Sequence, residues 1–387
     1  MSFLSDKAAI VGLGATEFSK DSGRSELQLA VEAVTAALAD AGIDPERVDG
    51  LCTFTMDNSS ECEVFRNIGG RNLKFFSRIH YGGGGAIAPL QQAAMAVACG
   101  VADVVVCYRA LNERSGDRFG QPRVRPMPET DMVLAGYHAI HGVRTAASRA
   151  ALGIRRYMHE SGATSLDFAQ VSIAARRHAA TNPKAFFFGR PITLDDYLAS
   201  RMIADPLRLL DCCQESDGAV AVVVTRVDAA QTLRQPPVLI RAAAQGCARN
   251  TMTMTSFYGP DIALRQECHL VADQLYAMAR TEPAAIQTAV IYDHFGPAVL
   301  PALEGYGFCE WGQAKDFVKG GNIELGGALP INTHGGQLGE AYIHGMNGIA
   351  EAVRQLRGTA VNQVAGARQV LVTAGSGLPT SGAILGN

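Results

Sequence analysis

One order of elements is written twice along this chain, and that repetition limits the fold more than any single motif. In the first half, K-A-A-I-V-G-L-G reads as a strand ending in a glycine turn. Ser25 with Gln28 forms a capping box for a helix whose Leu27, Ala30, Val31, Val34 and Leu38 share one face. Asp44-Pro45 then turns the chain into a short strand, Gly50 to Phe54. Tyr81-G-G-G-G opens a second helix, Ala86 to Cys99, which tolerates Pro89 in its first turn. Gly100 ends that helix, and Ala102 to Cys107 reads as a buried strand. The second half repeats the order. A helix from about Asp261 to Arg280 leads through Glu282-Pro283 to a strand, Ala289 to Tyr292. A glycine loop opening at Asn332 feeds a helix with Met346, Ile349, Ala350, Val353 and Leu356 at helical spacing, closed by Gly358. The strand Gln369 to Thr373 follows and stops in A-G-S-G. The two runs lie about 240 to 265 residues apart, a period that fits two stacked α/β halves and not a solenoid.

Between the halves lies an Arg- and Pro-rich insert near residues 112 to 130, then helical text from about Arg144 to Ala180. Inserts of that length in an α/β fold cover substrates or make interfaces. The run Leu209 to Val224 returns the chain to a strand. This division predicts a first half of residues 1–110 plus about 205–235, an insert over the active site at 111–204, and a second half at 236–387.

Bulk properties exclude several classes of function. A net charge of −3 gives no reason to expect nucleic acid or an anionic membrane surface. Arg118, Arg123 and Arg125 cluster locally, as a solvated face or as an anion site for a phosphorylated substrate. No apolar run approaches the roughly 20 residues that span a bilayer. The start, M-S-F-L-S-D-K, lacks the pattern of a signal peptide. The nine cysteines form no C-x-x-C pair, and adjacent Cys212-Cys213 has the wrong spacing for zinc. The expectation is a cytoplasmic protein with reduced thiols, no structural metal and no membrane span.

The glycine loops are where chemistry is expected. Two of them, around Gly83-Gly84 and Gly335-Gly336, each deliver a helix start, and Gly375 and Gly377 follow the last strand. Helix starts offer unpaired N–H groups that stabilise a developing oxyanion. Tyr292 sits at a strand end and Tyr342 at a loop-to-helix junction, with His294 and His344 two residues after each. Composition and spacing alone stop at an α/β protein with glycine-rich loops.

The motifs go further. The chain resembles the thiolase superfamily along nearly its whole length, and within it the thiolases associated with sterol carrier proteins. That branch shows a mid-chain N-P, here Asn182-Pro183, and an S-x-x-I-x-x-P-L-x-x-L-x-C-C-x-x-S-D-G-A run, matched from Ser200 to Ala219. Its H-D-C-F, L-G-L-C-x-x-G-Q and N-x-x-G-G-x-x-x-x-G-H-P-x-G motifs correspond to Y-D-H-F at Tyr292, Y-G-F-C-E-W-G-Q at Tyr306 and N-T-H-G-G-Q-L-G-E-A-Y-I-H-G at Asn332. The resemblance implies a thiolase fold: two similar halves, each a five-stranded sheet with helices, in a five-layered α-β-α-β-α arrangement with an inserted loop region.

The departures from the thiolase pattern carry the functional expectation. The position of the nucleophilic cysteine falls on Gly83, and that of the histidine that activates it on Tyr342. The second cysteine aligns with Thr373 and the histidine of H-D-C-F with Tyr292. Thiolase chemistry needs those groups. Thiolase-like proteins with no such cysteines and two tyrosines at these places resemble the steroid side-chain aldolases of cholesterol-degrading bacteria. That resemblance implies retro-aldol cleavage of a steroid β-hydroxyacyl-CoA, of 17-hydroxy-3-oxo-pregnene-20-carboxyl-CoA type, to a 17-keto steroid and propionyl-CoA. It implies Tyr292 and Tyr342 as catalytic residues, with His294 and His344 as assistants and the glycine loops as enolate stabilisers. No cofactor is expected, CoA being part of the substrate. A homodimer is implied, with a partner of OB-fold and zinc-ribbon type, often the second domain of a MaoC-like hydratase. A tyrosine acting as base needs its pKa lowered from about 10, and the placement of Tyr342 at a helix start suggests how. The alternative is an inactive thiolase-like scaffold or acyl-CoA-binding subunit.

Overall fold

In the computed structural model, residues 4–54, 59–116, 118–121, 129–249, 265–375 and 380–387 are described. The first half runs β1 (Ala8–Ala15), α1 (Glu26–Ala41), β2 (Gly50–Phe54), α2 (Glu61–Asn67), β3 (Phe75–Ile79), α3 (Ala88–Ala98) and β4 (Val104–Asn112). Helices α4 (Glu129–Ile140), α5 (Ala146–Ser161), α6 (Ser165–Thr181) and α7 (Leu194–Ala199) follow, then a small pair of strands, β5 (Met202–Ala204) and β6 (Leu207–Arg208). Strand β7 (Asp217–Arg226) and the short α8 (Val227–Ala230) lead to the second half. That half comprises β8 (Val238–Gly246), α9 (Arg265–Ala279), β9 (Thr288–Val290), α10 (Val299–Gly305), α11 (Ala314–Phe317), α12 (Gly336–Gly339), α13 (Met346–Arg357), β10 (Gln369–Thr373) and β11 (Thr380–Gly386).

The strands confirm the repetition. They line up as β3-β2-β4-β7-β1-β8-β11-β10-β9. Read outward from the middle, β1-β7-β4-β2 and β8-β11-β10-β9 have the same connectivity, with the pairs β2/β4 and β9/β10 parallel and the rest antiparallel. The halves meet edge to edge where β1 pairs with β8, through Ala9↔Leu239 and Ile10↔Val238. Three cores pack the five layers together, the middle one lining both faces of the central helix layer. Helix α1 covers the outer face of the first half, and α9 and α10 cover that of the second. Helices α3 and α13 fill one core between the two halves. Strands β4 and β7 are therefore buried on both faces, which explains their unbroken apolar text.

Two expectations need correction. Among the described residues the second half holds four strands where five were implied, with nothing there pairing as β3 does. Ile331 makes an isolated parallel bridge to Ala289 beside β9 and extends no further. Pro330 before it has no N–H to give, and Asn332 after it takes a left-handed φ of 49°. The capping box is one-sided: Ser25 accepts from the Gln28 backbone at 3.1 Å, but the Gln28 amide goes to Glu32. No described helix is long and apolar enough to cross a membrane.

Candidate active site

Tyr292 lies two residues beyond the end of β9, and its backbone is clamped from both sides. The Asn332 side chain exchanges two hydrogen bonds with the Ile291 backbone, each 2.9 Å. The Tyr292 N–H donates to the Thr373 hydroxyl at 3.0 Å. Thr373 is the place where the resemblance put a second thiolase cysteine. Here its side chain fixes a tyrosine instead.

The Tyr292 ring is seated among glycines, and space is their role at this site. A Cβ built on Gly83 would stand 2.4 Å from the Tyr292 hydroxyl oxygen. One on Gly345 would stand 2.9 Å from the ring, and one on Gly375 3.1 Å. A carbon at 2.4 Å is closer than real contacts allow, so the phenol fills the volume that a cysteine at position 83 would need. The Gly375 N–H is spent on the Gly83 carbonyl at 3.0 Å, which ties the two loops together.

Tyr342 meets Tyr292 here. Their hydroxyls are 3.2 Å apart and hydrogen-bonded, with both residues under 10% exposed. The Tyr342 backbone N–H donates to Ser216 Oγ at 3.1 Å, and the Phe119 ring stands edge-on at 6.3 Å. The chain then turns through two left-handed residues, His344 and Gly345, before α13 starts at Met346. Tyr342 is thus not on the helix N-terminus that was to lower its pKa. Burial instead pushes both phenols well above their ordinary value. Both rest neutral.

The two histidines are also neutral. Burial pushes His294 down to about 4. Burial, then the Arg109 guanidinium, holds His344 well below the ordinary range. Arg109 Nη2 lies 3.1 Å from His344 Nδ1. A guanidinium only donates, so Nδ1 accepts and Nε2 carries the imidazole proton. Neither histidine offers an imidazolium acid at neutral pH; each is a neutral imidazole with one nitrogen to donate and one to accept.

Around the phenols stand further groups, Arg109 and Glu113 among them outside the motifs. Arg109 is fully buried within β4, donating to the Phe54 carbonyl at 2.7 Å. Glu113 follows directly after β4, and burial, reinforced by Glu215, pushes its carboxyl up to about 8. Burial drives the Cys213 thiol well above its ordinary value, so it is no nucleophile. One signal did exist in the sequence: V-V-V-C-Y-R-A-L-N-E places two charges at the end of an otherwise buried strand.

The other expected glycines lie apart from the phenol pair. Gly335 gives its N–H to the Asn332 carbonyl at 2.8 Å and lets the loop touch Ala179 of α6. Gly336, at φ 64°, leaves room for the Asp293 carboxylate, which accepts from the N–H of Gln337 at 2.8 Å and of Leu338 at 3.4 Å. Gly377, Arg123, Arg125 and the start of the helix expected from Asp261 lie outside the described residues.

Comparison with known proteins agrees with this fold. A family model described as Thiolase C-terminal domain-like matches residues 248–386. The chain is 62% identical to a 17-hydroxy-3-oxo-4-pregnene-20-carboxyl-CoA lyase of Mycobacterium tuberculosis, over 99% of this chain and 100% of that one. It is 59% identical to a steroid side-chain-cleaving aldolase of Thermomonospora curvata, over 100% and 99%. A solved structure of an Ltp2-ChsH2(DUF35) aldolase superposes with a TM-score of 0.95 at 59% identity, covering 100% of this chain and 99% of that one. Human mitochondrial 3-ketoacyl-CoA thiolase, at 14% identity and a TM-score of 0.71, shares the fold over the full length of both chains.

Proposed function

Because the chain belongs to the thiolase superfamily, in the branch of the steroid side-chain-cleaving aldolases, we propose that it is a carbon–carbon lyase acting on a steroid β-hydroxyacyl-CoA. The products are a 17-keto steroid and propionyl-CoA. The observation that carries this reading is the hydrogen-bonded phenol pair standing where a thiolase would hold its cysteine, with Gly83 too crowded for any side chain.

The bond changes suit two neutral phenols. The bond between the carbinol carbon and the α-carbon breaks, and its electron pair enters the thioester enolate. The hydroxyl hydrogen leaves the alcohol, and one hydrogen must arrive at the α-carbon. The proton count closes if the alcohol proton passes to one phenol as that phenol's proton crosses the 3.2 Å contact. In the same event the second phenol gives its own proton to the α-carbon, so neither oxygen ever holds two protons. Each tyrosine starts and ends uncharged. No phenolate accumulates, which is what burial of both rings favours. Donors to the enolate oxygen belong on the Gly83-Gly84 loop, the loop that touches the Tyr292 hydroxyl. His294 and His344 orient the pair. No covalent acyl-enzyme and no cofactor enter the scheme.

A homodimer working with a DUF35-type partner of OB-fold and zinc-ribbon construction, in the cytoplasm, is the proposed setting. A single-turnover proton inventory tests the relay. Rates in mixed light and heavy water curve downward from a straight line if several protons move together, whereas a linear plot would leave one phenol as a bystander.

A further inference from the structure

We infer that Glu113 is a positioning residue of the phenol pair, whose uncharged carboxyl permits the proton relay and whose carboxylate stops it. The inference rests on the reading of Tyr292 and Tyr342 as the catalytic pair. Glu113 is 3% exposed, and its Oε2 has no hydrogen-bond partner. Backbone N–H groups of Phe119 and Ser216 reach its carboxyl. These same residues fix Tyr342: the Phe119 ring packs edge-on at 6.3 Å and Ser216 Oγ accepts the Tyr342 backbone N–H at 3.1 Å. One side chain therefore accepts from the backbone of the two neighbours that set the position of one phenol, with one of its oxygens left unpartnered.

Its charge matters as well as its shape. Among the groups around it, Glu215, Cys213, Tyr292 and Tyr342 all disfavour ionisation or are disfavoured by it. Glu215 is paired with Arg118 at 2.6 Å. Lys20 is the cation that favours the Glu113 carboxylate, with Arg114 next to it. Lys20 donates to the Glu215 backbone carbonyl, and burial lowers it to about 8. It therefore loses its charge in the same range in which Glu113 gains one. A carboxylate there opposes the negative charge that the phenol oxygens carry during transfer. A neutral acid does not.

The test is the pH profile of turnover for the full chain with its DUF35-type partner, comparing wild type, Glu113→Gln and Glu113→Asp. Wild-type kcat should fall as pH rises through about 8. Glu113→Gln should lower kcat at neutral pH several-fold, with KM little changed, and hold that rate through the alkaline range. Glu113→Asp should restore the alkaline fall. An alkaline fall in Glu113→Gln that matches wild type would overturn the inference, because a purely structural residue changes the level and not the shape. A second readout does not need turnover. The side-chain carboxyl ¹³C signal that disappears in Glu113→Gln should titrate in wild type near 8. A midpoint in the ordinary glutamate range overturns the inference even for a chain that cleaves no steroid ester. Wild type inactive at every pH, with that midpoint near 8, counts against the proposed reaction and not against the placement of Glu113.

Discussion

A single methyl group at position 83 decides whether Tyr292 keeps its place. Gly83→Ala sets a carbon 2.4 Å from the phenol oxygen, and the ring has nowhere to retreat between Gly345 and Gly375. Turnover should fall by roughly 10²-fold, and urea denaturation should show a loss of about 1–3 kcal/mol. Gly83→Cys should give no acyl transfer to CoA, since the position of the activating histidine is held by Tyr342. Detectable thiolysis in that variant would contradict the reading. Tyr292→Phe and Tyr342→Phe should each cost roughly 10²-fold or more in kcat. If the phenols pass protons to each other, the double variant should be no slower than the worse single one. Losses that multiply would mean two independent groups.

At the scale of elements, the loop from Asn332 to Tyr342 is held by backbone geometry more than by helix. Gly336 combines a φ of 64° with an Asp293 oxygen only 2.0 Å from where a Cβ would sit. Gly336→Ala should therefore destabilise the fold by about 2 kcal/mol or more in chemical denaturation, through strain and loss of the Asp293 bonds to α12. A neutral result would mean that the loop moves freely. Much at this scale was legible in the sequence. The strands Gly50–Phe54 and Gln369–Thr373 and the helix ended by Gly358 stand where the pattern put them, because local propensity and caps agree there. The helix expected from Ala86 starts instead at Ala88, after a tight turn at Gly83–Gly85. The phenol pair came from motif positions. What stayed hidden was what surrounds it: Arg109 and Glu113 on and just after β4, Phe119 beyond them and Ser216 just before β7 meet at the pair, and no spacing in one dimension reports that convergence.

The whole molecule joins two α/β halves through a two-residue strand pairing and a shared layer of α3 and α13. The site sits where loops of both halves meet, so buried ionisable groups there link function to global stability. The carboxyl of Glu113 is raised from 4.5 to about 8 on folding, and Asp293 and Asp211 rise from 3.8 to about 6. A raised carboxyl contributes stability in full below its unfolded value and loses it as pH climbs to the folded one. His294 and His334, lowered from 6.5 to about 4, act oppositely and lose their contribution as pH falls through that range. The melting temperature of Glu113→Gln relative to wild type should therefore rise between pH 4.5 and about 8 and then level off. A constant difference across that window would mean that Glu113 titrates normally. The most direct test of the central claim is product analysis. The chain, purified with its DUF35-type partner, is incubated with a 17-hydroxy-3-oxo-pregnene-20-carboxyl-CoA and no free CoA, and the mixture is read by mass spectrometry. Equal amounts of 17-keto steroid and propionyl-CoA are predicted, whereas tightly bound but intact substrate would contradict catalysis and leave a scaffold with a thiolase's shape.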